Sequence, residues 1–260
     1  MESVRFTTYD GVELAANLYL PEKLNGEWSP GIIVCHGFGS CKENHADFAD
    51  IATQQGFAVL IPDLRGHGES GGEVDANIFN DVAAALQYVQ ARPEVNPTSI
   101  ALRGSSMGGW LALHTGAHLK DISPVVAYCP ANEASMLLLM EEVGFVQRGH
   151  ESPVIGDNPP RVNVNSMIQL LYRLDVAKAA RRINPRPLLL VHCEHDEVVP
   201  VHISETIYKA AEEPKSLWIL PEGGHRFASH DPDTNRRALD WLSVNKATTE
   251  SLSVERLPDI

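Results

Sequence analysis

The chemistry in this chain is concentrated in a few short stretches, and the first is ALRGSSMGGW at residues 101–110. An apolar run stops at Gly104, passes through two serines and enters a helix-like segment. Gly104-Ser105-Ser106-Met107-Gly108 fits G-x-S-x-G in the strand–turn–helix setting that the motif requires. The central residue of such a turn adopts a strained backbone, and small residues two positions before and after it relieve the crowding. Ser106, not Ser105, is therefore the candidate nucleophile. The N–H of Met107, first in the helix, faces the place where negative charge would develop on a substrate.

A serine hydroxyl is a weak nucleophile until a base within hydrogen-bond reach takes its proton, and that base needs an orienting acid. Downstream, the apolar run PLLLVHC leads into EHDEVVP, and SLWILPE leads into GGHRF. Asp196 is the first candidate for the acid, because it falls where the strand has ended and before Val198-Val199-Pro200 begin the next helix; Glu194 is the alternative. His225 is the candidate base, since Gly223-Gly224 let the backbone bring its ring close. His195 is expected to point away, His230 to lie in a polar loop, and His114, His118 and His202 to sit on helices.

A second glycine loop, CHGFGSCKEN after the run GIIVC, can aim the Phe38 N–H at the same oxygen as Met107, giving a two-donor oxyanion hole. His36 reads as a structural pin for this loop. Asp63, Arg65 and His67 in PDLRGHGESGG read as a scaffold at the strand ends.

Residues so far apart in sequence can meet only if a sheet brings them to one edge. VRFTTY and VELAANLYL, joined across Asp10-Gly11, predict an antiparallel hairpin. Beyond them GIIVC, FAVLI, SIALR, PVVAYC, PLLLVHC and SLWIL are unbroken apolar runs, mostly separated by segments with a 3.6-residue period. Such runs predict a mostly parallel, doubly wound sheet covered by helices on both faces. The whole of 1–260 reads as a single α/β domain with a helical cap inserted over about 131–184 and a polar C-terminal tail over about 246–260. The apolar run Met136–Met140, with Val143 and Phe145, predicts a cap that packs on the core and lends part of its surface to an acyl or alcohol pocket.

The ordered set HGFG, DLRGHGES, GSSMGG, EHDEVVP and GGHRF resembles the α/β-hydrolase superfamily, within its small serine esterases, feruloyl esterase-like and serine aminopeptidase-like enzymes. The resemblance spans roughly residues 4–245 and implies Ser106 as nucleophile, His225 as base, Asp196 as acid, and the Phe38 and Met107 amides as oxyanion donors. It implies cleavage of carboxylic esters with short or medium acyl groups, or of aromatic-acid esters, through an acyl-enzyme. A peptidase, amidase, thioesterase or acyltransferase could use the same three residues, and a hydrolase-fold binding protein without turnover is the alternative of another class. Halide displacement is disfavoured, because it places a carboxylate at the elbow where this chain has serine. Neither a metal nor an organic cofactor is expected.

Bulk properties narrow the partners. The 260 residues carry 34 acidic against 21 basic side chains, a formal net charge of -13, which repels phosphate backbones and anionic lipid surfaces. A small-molecule ester is thus expected as partner, rather than nucleic acid or membrane. No stretch approaches the roughly 20 apolar residues of a membrane span, and the N-terminus lacks signal-peptide features, so a cytoplasmic location is expected. Cys35, Cys41, Cys129 and Cys193 show no metal-ligand spacing and read as reduced and structural.

Overall fold

In a computed structural model, residues 1–22, 28–150 and 159–245 are described. The tail expected over 246–260 lies outside them, as does the middle of the loop joining the two predicted cap segments. The chain opens with strands β1 (Glu2–Thr7) and β2 (Glu13–Tyr19), which pair antiparallel. Their turn is closed by hydrogen bonds from Gly11 N to Thr8 O (2.9 Å) and Thr8 N to Val12 O (2.8 Å). Gly11 has φ +84°, the left-handed region that glycine enters without steric cost.

Strands β3 (Ser29–Cys35), β4 (Ala58–Pro62), β5 (Val95–Ser105), β6 (Ile122–Tyr128), β7 (Leu188–Cys193) and β8 (Lys215–Leu220) complete an eight-stranded sheet in the order β1-β2-β4-β3-β5-β6-β7-β8. From β4 to β8 every pairing is parallel, and β2 joins β4 antiparallel. The strand order reverses at β3, since β4 lies on one side of it and β5 on the other. Loops that leave β3 and β5 in opposite directions open a crevice at their carboxyl ends. Cys35 pairs with Gly104 across these strands, so Phe38 and Ser106 emerge side by side.

Alternation along the strands sends side chains to two cores. Ile33, Cys35, Leu60 and Leu102 belong to one apolar cluster, while Ile32, Val34, Val59 and Ile61 belong to the other. The first is covered by α2 (Phe79–Gln90), α3 (Met107–His118) and the helices that follow; the second by α1 (Ala46–Gln54) and α9 (Pro232–Val244).

Between β6 and β7 come α4 (Glu133–Gln147), α5 (Val164–Leu171) and α6 (Val176–Arg181). The second cap segment, which reads as one helical stretch in the sequence, is broken because the Asp175 carboxylate accepts the Lys178 N–H (3.1 Å) and starts α6 afresh. On α4, Met136, Met140 and Val143 repeat at the helical period and are buried in the core cluster that contains Trp110, whereas Leu138 is 65% exposed. Glu133 locks this layer: its carboxylate accepts from Trp110 Nε1 (2.9 Å), His114 Nε2 (2.8 Å) and Val176 N (3.1 Å). Helices α7 (His202–Ala210) and the short α8 (Phe227–His230) flank the last two strands.

Candidate active site

Glycine sterics shape the elbow. Ser106 has φ 56° and ψ -120°, a conformation costing of order 1–3 kcal/mol that persists only where surroundings enforce it. Its N–H donates to Tyr128 O (2.9 Å), and its carbonyl accepts from Trp110 N (3.0 Å) and Ala131 N (3.1 Å). A Cβ at Gly104 would run into the Gly108 carbonyl, and one at Gly108 into the Cys35 carbonyl. Both motif glycines are thus required for strand, turn and helix to close on one another. Ser105 is buried and continues β5 opposite Tyr128, leaving Ser106 at the tip.

The loop after β3 is tied down on both sides of Phe38. His36 donates from Nδ1 to Gly37 O (2.8 Å) and accepts the Leu64 N–H at Nε2 (3.0 Å); His67 accepts the Gly39 N–H (3.2 Å) and donates to Arg65 O (3.1 Å). These partners fix the tautomers of both rings. Burial pushes His36 down to about 4 and His67 to about 3, so both are neutral near pH 7. Asp63 is equally structural, holding Lys42 through its backbone N–H (2.7 Å) and its ammonium (2.8 Å). The scaffold roles read for His36, Asp63 and His67 agree with these bonds. Gly37 passes so close to Ser106 that a Cβ there would sit 3.3 Å from the serine Cβ. The Phe38 N–H belongs to this anchored loop, and the Met107 N–H opens α3, where no intrahelical acceptor exists.

At the far end of the sheet, His225 Nδ1 donates to Asp196 Oδ2 at 2.8 Å. The Asp196 carboxylate is fully buried, and its Oδ1 accepts the Val198 and Val199 N–H groups at 2.8 Å each. Burial by itself would raise this carboxyl, but bonding to His192, His225 and the Val199 amide outweighs it and holds the group well below the usual carboxylate range. Glu194 is exposed, and no hydrogen bond joins it to the histidine among the described residues. Glu197 instead accepts the His225 backbone N–H (3.1 Å). The histidine turn needs its glycines: Gly223 has φ +86° with Phe227 against its open side, and a Cβ at Gly224 would strike the Glu197 carboxylate.

Ser106 and His225 line a single cavity of about 210 Å³, with Gly37 and Phe38 on its wall. Among the described residues no hydrogen bond joins the hydroxyl to the imidazole; such bonds commonly tighten only when substrate arrives. The α4 residues singled out in the sequence do not line this cavity. Its opposite wall comes from α1's N-terminal approach and from α8.

Two supports were not legible in the sequence. His192, buried on β7, places Nε2 at 3.3 Å from Asp196 Oδ2 and 2.8 Å from Val199 O, with Nδ1 at 2.7 Å from Ser204 Oγ. Arg103, buried on β5 between the rings of Phe48 (4.1 Å) and Tyr128 (4.5 Å), donates to Ser229 O (2.6 Å), tying the serine's strand to the helix after His225. The position of His192 four residues before the acid was the only available signal for it.

Among the described residues one group of donor side chains could approach a metal: ligand atoms of Cys129, Asp196 and His225 lie within 4.8 Å of one another. Burial raises the Cys129 thiol, which keeps it protonated near neutral pH, and the carboxylate and imidazole are already bonded to each other. A thiol must lose its proton to ligate, so the donor set favours the hydrogen-bonded pair. All four cysteines are free thiols.

Comparison with known proteins agrees with this architecture. The family model described as serine aminopeptidase, S33, matches residues 28–148. Protein PA2218 of Pseudomonas aeruginosa is 27% identical over 85% of this chain and 74% of its own length; its crystal structure superposes with a TM-score of 0.79, covering 94% and 93% of the two chains. YfhR of Escherichia coli K12 is 27% identical over 88% and 75%. Est1E of Butyrivibrio proteoclasticus, solved with ferulic acid bound, shares 23% identity and a TM-score of 0.75 over 94% and 98% of the chains. These structural likenesses show that the chain has the α/β-hydrolase fold, and the family match lies within it, over residues 28–148. Hydrolysis is the class of chemistry that the family match over residues 28–148 supports. Among the described residues no helix is long and apolar enough to cross a membrane.

Proposed function

We propose that the chain is a carboxylic ester hydrolase acting through Ser106, His225 and Asp196. The observation that carries this reading is the 2.8 Å bond from His225 Nδ1 to a fully buried carboxylate, on a ring that shares its cavity with a serine held at positive φ. Asp196 accepts from Nδ1, which leaves Nε2 unprotonated and able to take the Ser106 proton. The serine Oγ bonds to the ester carbonyl carbon, and the resulting oxyanion is met by the Phe38 and Met107 N–H groups. Collapse breaks the carbon–oxygen bond to the alcohol, which leaves with the proton from His225. Water then attacks the acyl-serine, giving its proton to the same nitrogen, and the carboxylic acid departs as Ser106 recovers its hydrogen.

A 210 Å³ cavity lies below the roughly 300–1,000 Å³ of sites for drug-sized ligands, which favours a short acyl group. Ferulic acid, the molecule bound to Est1E, is a carboxylic acid of the kind that ester cleavage releases. The test is turnover of p-nitrophenyl butyrate, with labelling by a fluorophosphonate probe. Ser106→Ala is expected to abolish labelling and lower kcat by about 10³-fold or more. Wild-type rates in this variant would remove Ser106 from the mechanism, and faster cleavage of matched amides or thioesters would move the substrate class.

A further inference from the structure

The wall of the cavity opposite Ser106 is polar, formed by Asn44, His45, Arg226, Ser229 and His230. His45 is 2% exposed, lines the cavity, and has neither ring nitrogen hydrogen-bonded. Its ring stacks on His230 at 5.3 Å between centroids. Burial lowers its protonation, and the positive Arg103 and the neighbouring His36, His230 and Arg226 lower it further. Both ring nitrogens are closed off by the surrounding atoms, so the ring offers the cavity no open donor. Arg226, adjacent to the catalytic base and exposed, also lines the cavity and has no ion-pair partner among the described residues. Ser229 and Asn44 add further polar groups.

Among the described residues no carboxylate lines this cavity, although the protein carries a net charge of -13. Two acids bonded to side chains of its wall are engaged there: Asp47 with His230 Nδ1 (2.9 Å) and the Phe48 N–H (2.8 Å), and Asp196 with His225. An apolar acyl chain placed here would strip water from the guanidinium, which is unfavourable. An anionic group would pair with it.

Resting on the ester-hydrolase reading above, we propose that the substrate is an ester bearing a free carboxylate, bound by Arg226. This residue determines specificity; it does not take part in bond making. The carboxylate can sit on the acyl or the alcohol portion, and matched ester pairs separate the two. Mono-p-nitrophenyl glutarate is compared with p-nitrophenyl valerate, and 3-carboxyphenyl butyrate with phenyl butyrate, all as rates above the Ser106→Ala blank. In at least one pair the charged ester is expected to have the higher kcat/KM by about 10- to 100-fold, the range of a charge-assisted hydrogen bond. The preference should shrink towards parity in Arg226→Gln and should weaken with added salt because Arg226 is exposed.

A binding arm is independent of turnover: Ser106→Ala protein is titrated calorimetrically with glutarate and with glutaramide. Glutarate binding that weakens on adding Arg226→Gln supports the inference. Equal rates within both ester pairs, together with no preference for glutarate, overturn it while leaving the esterase reading intact. If no ester is cleaved in a Ser106-dependent way, the esterase reading fails and the glutarate titration still decides this one.

Discussion

Asp196 shows how much depends on two oxygen atoms of one side chain. Oδ1 takes two backbone N–H groups and Oδ2 takes the imidazole proton. Asparagine can preserve the first arrangement by turning its oxygen to the Val198 and Val199 amides, but its NH2 then faces His225. The ring must invert its tautomer to accept, and the nitrogen needed by Ser106 becomes a donor. Asp196→Asn is therefore expected to lower kcat for p-nitrophenyl butyrate by about 10³- to 10⁴-fold. Glu194→Gln should leave turnover near wild type, its side chain being exposed. Comparable losses in both variants, or a loss confined to Glu194→Gln, would refute the assignment of the orienting acid.

At the scale of elements, Glu133 joins α3, α4 and α6 through three donors converging on one carboxylate. Glutamine offers a single oxygen and adds a donor, so at least one indole, imidazole or amide hydrogen must go unmet. Glu133→Gln should cost about 1–3 kcal/mol, read as a lower denaturant midpoint at unchanged slope; an unmoved midpoint would show that these helices are held by packing alone. The strands, the elbow and the histidine turn were legible in the sequence because their signals are local: apolar runs, and glycines whose missing Cβ atoms the fold requires. His45, Arg103 and His192 were not, since each acquires its neighbours from strands and helices distant in sequence. The apolar stretch on α4 misled for the same reason. Composition gives a helix with apolar faces to spare, but only tertiary packing decides that Met136, Met140 and Val143 enter the core and leave the reactive cavity to polar side chains.

For the molecule as a whole, buried neutral histidines set the response to acid. The folded state pushes His36 from 6.5 down to about 4 and His67 to about 3, so the unfolded chain binds protons more tightly. Their contribution is complete above about pH 6.5 and is lost progressively as pH falls towards 4. For His36 alone, linkage gives a loss of about 3 kcal/mol across that window. Asp196 and Glu133 act in the same direction further down, since both are held below their ordinary values and lose their contribution only as pH falls beneath the ordinary carboxylate range. Buried Asp81, by contrast, is pushed up to about 6 and partly offsets the histidines as pH falls from about 6 to about 4. The melting temperature is expected to fall steadily from pH 7 to pH 4; a flat profile would mean that these rings are protonated in the native state.

The Arg103 bond to Ser229 has a further consequence. Swinging the base-bearing segment away from the central strand would strip a buried guanidinium of its carbonyl partner while Phe48 and Tyr128 stay around it. Each such excursion is penalised by about 1.5–3 kcal/mol, and the imidazole is kept at its post.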